Sequence, residues 1–174
     1  MPLVIKEEVP VPEGVEFKIE GSRVEMRGPK GVLSREFKFP TLRLVQDGRK
    51  IIVEGSGKRK REKAAIGTAK AHLRNMISGV TEGFTKKLRV VYSHFPITVK
   101  VEGKKVLIHN FLGERHPRQA EIVGETEVEV AGDEILVRGI NKDDVGQTAI
   151  NIERATAVRY RDRRIFQDGC FIVE

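Results

Sequence analysis

The chain contains 174 residues, of which 39% are hydrophobic and 33% charged, and its formal net charge is +7. This apolar content is sufficient for a packed core and excludes a disordered chain, while the basic balance indicates a polyanionic partner. The lone Cys170 cannot form an internal disulfide, no apolar run approaches the ~20 residues that span a bilayer, and the first residues lack the pattern of a secretory signal. We therefore expect a cytoplasmic protein without a membrane partner.

The first half of the chain alternates short apolar–polar segments with turn residues, a pattern typical of β-hairpins. These segments predict strands at residues 15–19, 24–27, 32–37, 42–45 and 51–53. The period then changes to spacings of three and four, which place a set of apolar residues on one helix face: Ile66, Ala69, Leu73, Met76, Ile77 and Val80. We predict one helix here, with Gly79 as its C-terminal stop.

The second half repeats this order of elements. Its strands are predicted at residues 88–91, 97–101, 106–109, 120–123, 127–130 and 135–138, and a helix follows with Val145, Ala149, Ile152 and Ala155 facing inward. Asn141 is a good N-cap for this helix, and Asp143 and Asp144 lie in its first turn, where the helix dipole favours anions.

Similar segments recur in the two halves at offsets near 80 residues, for example around Gly21 and Gly103 and around Gly67 and Gly146. A period of this length suits a duplicated domain rather than a solenoid repeat. We therefore predict an α+β fold of two tandem duplicated domains, residues 1–82 and 83–174. Each is expected to be a small antiparallel β-sheet packed on one α-helix, because one helix can cover one face of a sheet.

Charge is unevenly distributed along the chain. Residues 1–82 contain 17 Lys and Arg against 11 Asp and Glu, residues 83–118 contain 8 against 2, and residues 119–157 contain 3 against 9. The basic stretches are therefore the candidate contact surface, and the acidic stretch is expected to face solvent. The first basic cluster, which follows a Gly-Ser-Gly segment, is Lys58, Arg59, Lys60 and Arg61. Such a loop can present cations to phosphates, although a solvated charge run is the alternative.

Two further clusters lie in the second half. The second basic cluster combines Ser93 and His94 with Arg115, His116 and Arg118, on segments that flank adjacent predicted strands. Arg and His side chains bond phosphate oxygens, and aromatic rings stack on unpaired bases. The alternative is that the apolar residues of these segments cap the core while the polar residues cover turns.

The third basic cluster follows the second predicted helix and contains four arginines in six residues: Arg159, Arg161, Arg163 and Arg164. The planar guanidinium matches phosphate geometry, and Tyr160 adds a possible stacking surface. The alternative is that these arginines pair with Asp162, Asp168 and the acidic stretch.

Patterns of catalysis and of cofactor binding are missing from the sequence. The segment before Lys58 lacks a phosphate-loop motif, since Ile52 stands where the first glycine is needed and Arg59 where Ser or Thr is needed. The histidines lack zinc-finger spacing, and the side chains of the neighbouring Ser93 and His94 are expected to diverge. We therefore predict no enzyme activity, cofactor, metal or small-molecule substrate.

Several motifs together resemble the universal ribosomal protein L-six family of the large subunit, in its archaeal and eukaryotic branch. The resemblance runs the length of the chain and is carried by the opening hairpins at 24–31, the first helix and link at 72–84, the loops at 91–96 and 110–114, and the segment at 164–169. Small departures are Cys170, where the family usually has an aliphatic residue, and Phe171, where it usually has Tyr.

The resemblance implies a ribonucleoprotein function in translation. It implies binding to large-subunit rRNA mainly through the second domain, near the sarcin–ricin loop and the stalk base, with neighbouring ribosomal proteins and translation factors close by. The family's role is architectural, supporting the factor-binding region. The residues themselves leave three alternatives open: a free-standing RNA-binding regulator, a protein–protein module using sheet edges, and an RNA-processing enzyme.

Overall fold

The computed structural model describes residues 4–174, and the chain divides into two compact units. One unit extends as far as Gly83, and the other begins at Phe84 and ends at Glu174. Within the described residues, no helix is long and apolar enough to cross a membrane.

The described residues of the first unit form two antiparallel sheets, one from three consecutive strands and the other from the first strand together with the last two. The strands are β1 (Val4–Pro10), β2 (Glu16–Glu20), β3 (Arg23–Gly28), β4 (Gly31–Glu36), β5 (Leu42–Asp47) and β6 (Lys50–Ser56). Among residues 4–83, one sheet has the order β1-β6-β5 and the other the order β2-β3-β4. Each of β2–β6 overlaps a predicted strand.

Strand β1 was not predicted from the sequence. It pairs antiparallel with β6 over its whole length, and its Val9 is fully buried. The acidic Glu7 obscured the apolar alternation of this segment, because it occupies the same side of the strand as Ile5 and Val9. Its carboxylate bonds the ammonium of Lys70 on the helix, so the chain compensates a half-buried charge with a distant partner.

Helix α1 (Lys60–Thr81) packs its apolar face against strands of both sheets. Of the predicted face, Ile77 is only partly buried, and the rest is buried with Gly79. The prediction that Gly79 ends the helix is wrong. The helix continues to Thr81, and Gly83, with φ of 78°, ends it by donating its N–H to the Ser78 carbonyl at 3.1 Å.

In the second unit, strands again precede a helix, and one more strand follows it. The elements are β7 (Phe84–Val91), β8 (Thr98–Glu102), β9 (Lys105–His109), a short 3-10 turn (Phe111–Gly113), β10 (Arg118–Glu121), β11 (Glu127–Ala131), β12 (Glu134–Gly139), α2 (Lys142–Ala155) and β13 (Gly169–Ile172). The sheets have the orders β10-β9-β8 and β11-β12-β7-β13.

Helix α2 begins as the sequence predicts. The Asn141 side-chain oxygen accepts a hydrogen bond from the Asp143 backbone N–H at 3.1 Å, which satisfies a donor that the helix cannot. Val145, Ala149 and Ile152 are buried against both sheets, and the predicted Ala155 is partly buried. The core of this unit also contains the fully buried Leu88, Ile108, Phe111 and Ile135.

The predicted α+β fold with tandem duplication is confirmed. Within the described residues, each unit combines antiparallel strands with one long helix, and the helix follows a run of hairpin-connected strands in both cases. The structure adds one feature to the prediction, because the strands of each unit are divided between two sheets that share the helix as their cover.

Candidate nucleic-acid interface

A buried carboxylate, that of Asp168, joins the loop after β7 to the segment before β13. Its side chain is fully inaccessible to solvent and accepts hydrogen bonds from the Ser93 hydroxyl at 3.0 Å, the His94 backbone N–H at 3.3 Å and the His94 ring Nδ1 at 3.0 Å. Burial raises the pKa of Asp168, but the hydrogen bonds from His94 and Ser93 outweigh burial and leave this pKa below its ordinary value. The carboxylate is therefore charged, and it holds the loop in place.

The expectation that the Ser93 and His94 side chains diverge is wrong. The Ser93 hydroxyl lies 3.1 Å from Nδ1 of His94, because both groups turn toward Asp168. The arrangement still differs from a catalytic triad, in which the serine bonds Nε2 and the carboxylate bonds Nδ1. Here Ser93 and Asp168 both lie next to Nδ1 of His94, and the Ser93 hydroxyl donates to Asp168 itself. His94 is therefore not placed as the base that accepts the serine proton.

The His94 ring is also part of a stack with a phenylalanine and an arginine. It lies parallel to the ring of Phe166, with centroids 4.6 Å apart and an interplanar angle of 21°. The guanidinium carbon of Arg161 lies 4.8 Å from the centroid of the same ring. This stack brings together the second and third basic clusters. The sequence predicted no role for Phe166, although this residue lies within the segment 164–169.

Within the arginine segment, Asp162 organises a turn. Its side chain accepts from the Arg164 backbone N–H at 2.9 Å and from the guanidinium at 2.9 and 3.1 Å, and its carbonyl accepts from the N–H of Phe166 at 2.9 Å. The bond from Arg164 lowers the pKa of Asp162. For Arg164, the alternative of internal pairing therefore holds, although 89% of its side chain remains exposed.

The other arginines of this segment are exposed. Arg159, Arg161 and Arg163 form no ion pair within 4.0 Å with an acidic side chain of residues 4–174. Tyr160 between them is fully exposed and has a φ of 60°. This left-handed backbone is unfavourable for an aromatic residue, and it presents the ring to solvent.

Arg118 is engaged within its own unit. Its guanidinium bonds both carboxylate oxygens of Glu114 at 2.7 and 2.9 Å, and donates to the carbonyls of Ala155 and Ala157 at 3.0 and 3.2 Å. It also lies 4.6 Å above the ring of Phe111. All three nitrogens have internal partners, so the geometry gives Arg118 a structural role, and its binding of RNA stays a prediction.

The loop that contains Glu114 lies next to the segments described above. The hydrogen bond from Arg118 lowers the pKa of Glu114. The loop lies beside the segment that follows His94, because the Asn110 side-chain amide donates to the Pro96 carbonyl at 2.9 Å. Arg115 and His116 in this loop are exposed. The loops at 93–94 and 114–118 and the segment at 159–166 are thus parts of one surface, which we call the arginine surface.

The first basic cluster lies in the other unit, at the N-terminus of α1. Lys58 and Arg59 precede the helix, Lys60 and Arg61 are its first residues, and all four are exposed. Cations at this end of a helix oppose its dipole and reduce its stability. Glu62 offsets part of this effect by accepting the Arg59 backbone N–H at 3.2 Å. Phosphate binding by this cluster stays a prediction, and a solvated charge run stays its alternative.

Within residues 4–174, no group of three or more His, Cys, Asp or Glu side chains could hold a metal ion.

Comparison with known proteins identifies the family. The model of the family described as ribosomal protein L6 matches residues 11–83 and 95–169, one match in each unit. The large ribosomal subunit protein uL6 of Methanothrix thermoacetophila is 54% identical over 164 residues, which cover 94% of this chain and 93% of that protein. The uL6 protein of Methanobrevibacter smithii is 49% identical over 169 residues, covering 97% and 95%. The chain belongs to the ribosomal protein L6 family.

Proposed function

We propose that the chain is a structural constituent of the large ribosomal subunit, not an enzyme, and that its second unit binds large-subunit rRNA through the arginine surface. The observation that carries this proposal is the stack of His94, Phe166 and Arg161 above the buried Asp168. It combines a fixed aromatic group with exposed guanidinium groups, which is the combination that RNA loops require.

The names of the relatives support the ribosomal part of the proposal, since those proteins are called large ribosomal subunit proteins. The rRNA target is the region of the sarcin–ricin loop and the stalk base. There the protein acts as a buttress in the cytoplasmic ribosome, beside neighbouring ribosomal proteins and the site where translation factors bind. A rigid support of this kind needs a preorganised surface, and a buried carboxylate with three hydrogen bonds supplies one.

Individual residues have different roles in this proposal. Arg159, Arg161 and Arg163 contact phosphates, because they are exposed and lack acidic partners within the described residues. Ser93 and His94 form the base of the surface, and Nε2 of His94 faces the ligand, since Nδ1 is held by Asp168. Arg115, His116 and Arg164 line its edge, and the cluster Lys58–Arg61 provides an additional, weaker phosphate contact from the first unit.

The test is the salt dependence of binding to a sarcin–ricin-region rRNA fragment. Each lost phosphate contact should reduce the slope of log affinity against log salt concentration by roughly one unit. We expect this reduction for Arg161→Ala and for Arg163→Ala. The matched control is Arg138→Ala, which removes an exposed arginine that pairs with Glu129 in the acidic stretch.

An unchanged slope for both Arg161→Ala and Arg163→Ala would remove the arginine segment from the interface. An equal reduction for Arg138→Ala would show that only total charge matters, which would contradict a specific surface.

A further inference from the structure

A cleft of about 520 Å³ opens in the second unit, beside the arginine surface. Its walls come from the end of β7, the residues after α2 and the start of β13, and they are mainly apolar: Val91, Ala157, Val158, Phe166 and Phe171. The volume lies within the range of about 300–1,000 Å³ that is typical of small-molecule and cofactor sites. Phe171 is 40% exposed, so an aromatic wall of the cleft is accessible from outside.

The buried polar groups inside the cleft are already engaged by the protein. The Thr156 hydroxyl donates to the Glu153 carbonyl at 3.1 Å and accepts from the Cys170 N–H at 2.9 Å. Asp168 accepts the hydrogen bonds described above, and the Glu153 carboxylate accepts the N–H of Ile172 at 3.5 Å. The interior therefore favours a flat apolar or aromatic group that needs few hydrogen bonds from the protein.

The rim has the opposite character. Arg154 at the end of α2 and Arg163 in the arginine segment both line the cleft, and both are exposed. An occupant that combines an aromatic ring with a negative charge fits an apolar interior with a basic rim. An unpaired nucleotide has both parts, because its base stacks on aromatic rings and its phosphate bonds guanidinium groups.

We infer that this cleft receives a single unpaired nucleotide of the rRNA, with its base stacked on Phe171 and against the edge of the Phe166 ring, and with its phosphate at Arg154 and Arg163. The inference rests on the proposed rRNA binding and adds the RNA feature that is bound. Because Thr156 and Asp168 already use their hydrogen-bonding groups internally, the cleft recognises that the base is unpaired and not which base it is.

Filling the cleft tests this inference without changing its charge. Ala157→Leu adds apolar volume at the wall, and Ala131→Leu adds the same volume at an exposed position of β11, outside the cleft. Binding to the sarcin–ricin-region fragment is measured across a salt series, and thermal unfolding verifies that each variant is folded. We expect Ala157→Leu to bind roughly 5- to 150-fold more weakly, the range that stacking of one base represents, with an unchanged salt slope. Ala131→Leu should bind like the unmodified chain.

A second variant, Phe171→Ala, keeps the test decisive if Ala157→Leu does not fold, because Phe171 is exposed enough to tolerate replacement. The probe is the same fragment with 2-aminopurine placed in turn at each unpaired position. We expect fluorescence quenching by the unmodified protein at one position and loss of this quenching with Phe171→Ala. An abasic site at that position should remove the difference in affinity between the two proteins.

The outcomes separate this inference from the proposed function. Unchanged fragment affinity for folded Ala157→Leu, together with reduced salt slopes for Arg161→Ala and Arg163→Ala, would overturn the cleft assignment and leave the rRNA surface in place. If folded Ala157→Leu keeps its affinity for the fragment but is incorporated less well into ribosomal particles, the occupant of the cleft is a protein segment. This result would also overturn the inference that the cleft receives a nucleotide.

Discussion

Replacing Arg118 with alanine separates a stabilising role of this residue from a role in RNA binding. Its guanidinium donates to the carbonyls of Ala155, the last residue of α2, and of Ala157, two residues further on, and it covers the ring of the buried Phe111. The substitution removes these contacts and leaves two carbonyls near the helix end without their donor. It also removes the ion pair with Glu114, in which both side chains are partly exposed.

The size of the effect follows from these contacts. Hydrogen bonds to a charged group contribute about 1.5–3 kcal/mol each when they are buried, and these are only partly buried. The exposed ion pair contributes about 0.2–1 kcal/mol and the contact with Phe111 about 0.5–1 kcal/mol. Since contributions of contacting groups do not add fully, we expect Arg118→Ala to lower the free energy of unfolding of the second unit by about 2–4 kcal/mol.

The assay is urea unfolding followed by circular dichroism, with amide hydrogen exchange of α2 to identify the unit that is destabilised. The control is Arg115→Ala, an exposed arginine three residues earlier, which should change stability by about 0.5 kcal/mol or less. At temperatures where Arg118→Ala is folded, its rRNA affinity tests the separate prediction that Arg118 binds RNA, and an affinity equal to that of the unmodified chain would contradict that prediction. A stability loss below about 0.5 kcal/mol, combined with weaker RNA binding, would refute the structural role.

The other predictions concern the two cores and the buried titratable groups. Leu73→Ala should lower the free energy of unfolding of the first unit by about 2–5 kcal/mol, because Leu73 is fully buried on α1, and a loss below about 1 kcal/mol in urea unfolding would contradict this packing. The pKa of Asp168 is lowered in the folded state, so its carboxylate stabilises the second unit above the ordinary pKa of about 4, and this stabilisation is lost as the pH falls through the lowered pKa. Asp168→Asn should therefore show a shallower loss of stability on acidification, and parallel profiles of urea midpoint against pH would contradict it. Burial raises the pKa of Cys170 to about 11, so a thiol reagent at pH 8 should label this residue only as the second unit unfolds, and rapid labelling of the native protein would contradict its burial.

Local patterns predicted most of the secondary structure. These patterns are the apolar–polar alternation of the hairpins, the three-and-four spacing on α1 and the Asn141 cap of α2. Each depends only on residues close together in the chain, so it can be recognised from the sequence. Strand β1 was missed because Glu7 interrupts its apolar side. The interaction that makes this charge acceptable comes from Lys70, 63 residues further along the chain.

The candidate site was predicted in its parts but not in its organisation. The sequence indicated the basic clusters, yet nothing local shows that Asp168 holds His94, since 74 residues separate them. The same limit applies to Arg118, which resembles a surface cation in the sequence and binds a carbonyl 37 residues away. Long-range polar contacts of this kind depend on the tertiary fold, so they cannot be predicted from the periodicity of a single segment.

The central claim, that the chain binds one structured region of large-subunit rRNA, is tested most directly by filter binding. The purified protein is titrated with a sarcin–ricin-region fragment and, in parallel, with a scrambled duplex of equal length, across a series of salt concentrations. Specific recognition adds base stacking and shape to phosphate contacts, so we predict a strong preference for the fragment that persists as salt rises. Equal binding to both RNAs, lost together at higher salt, would contradict the claim and leave a general polyanion binder.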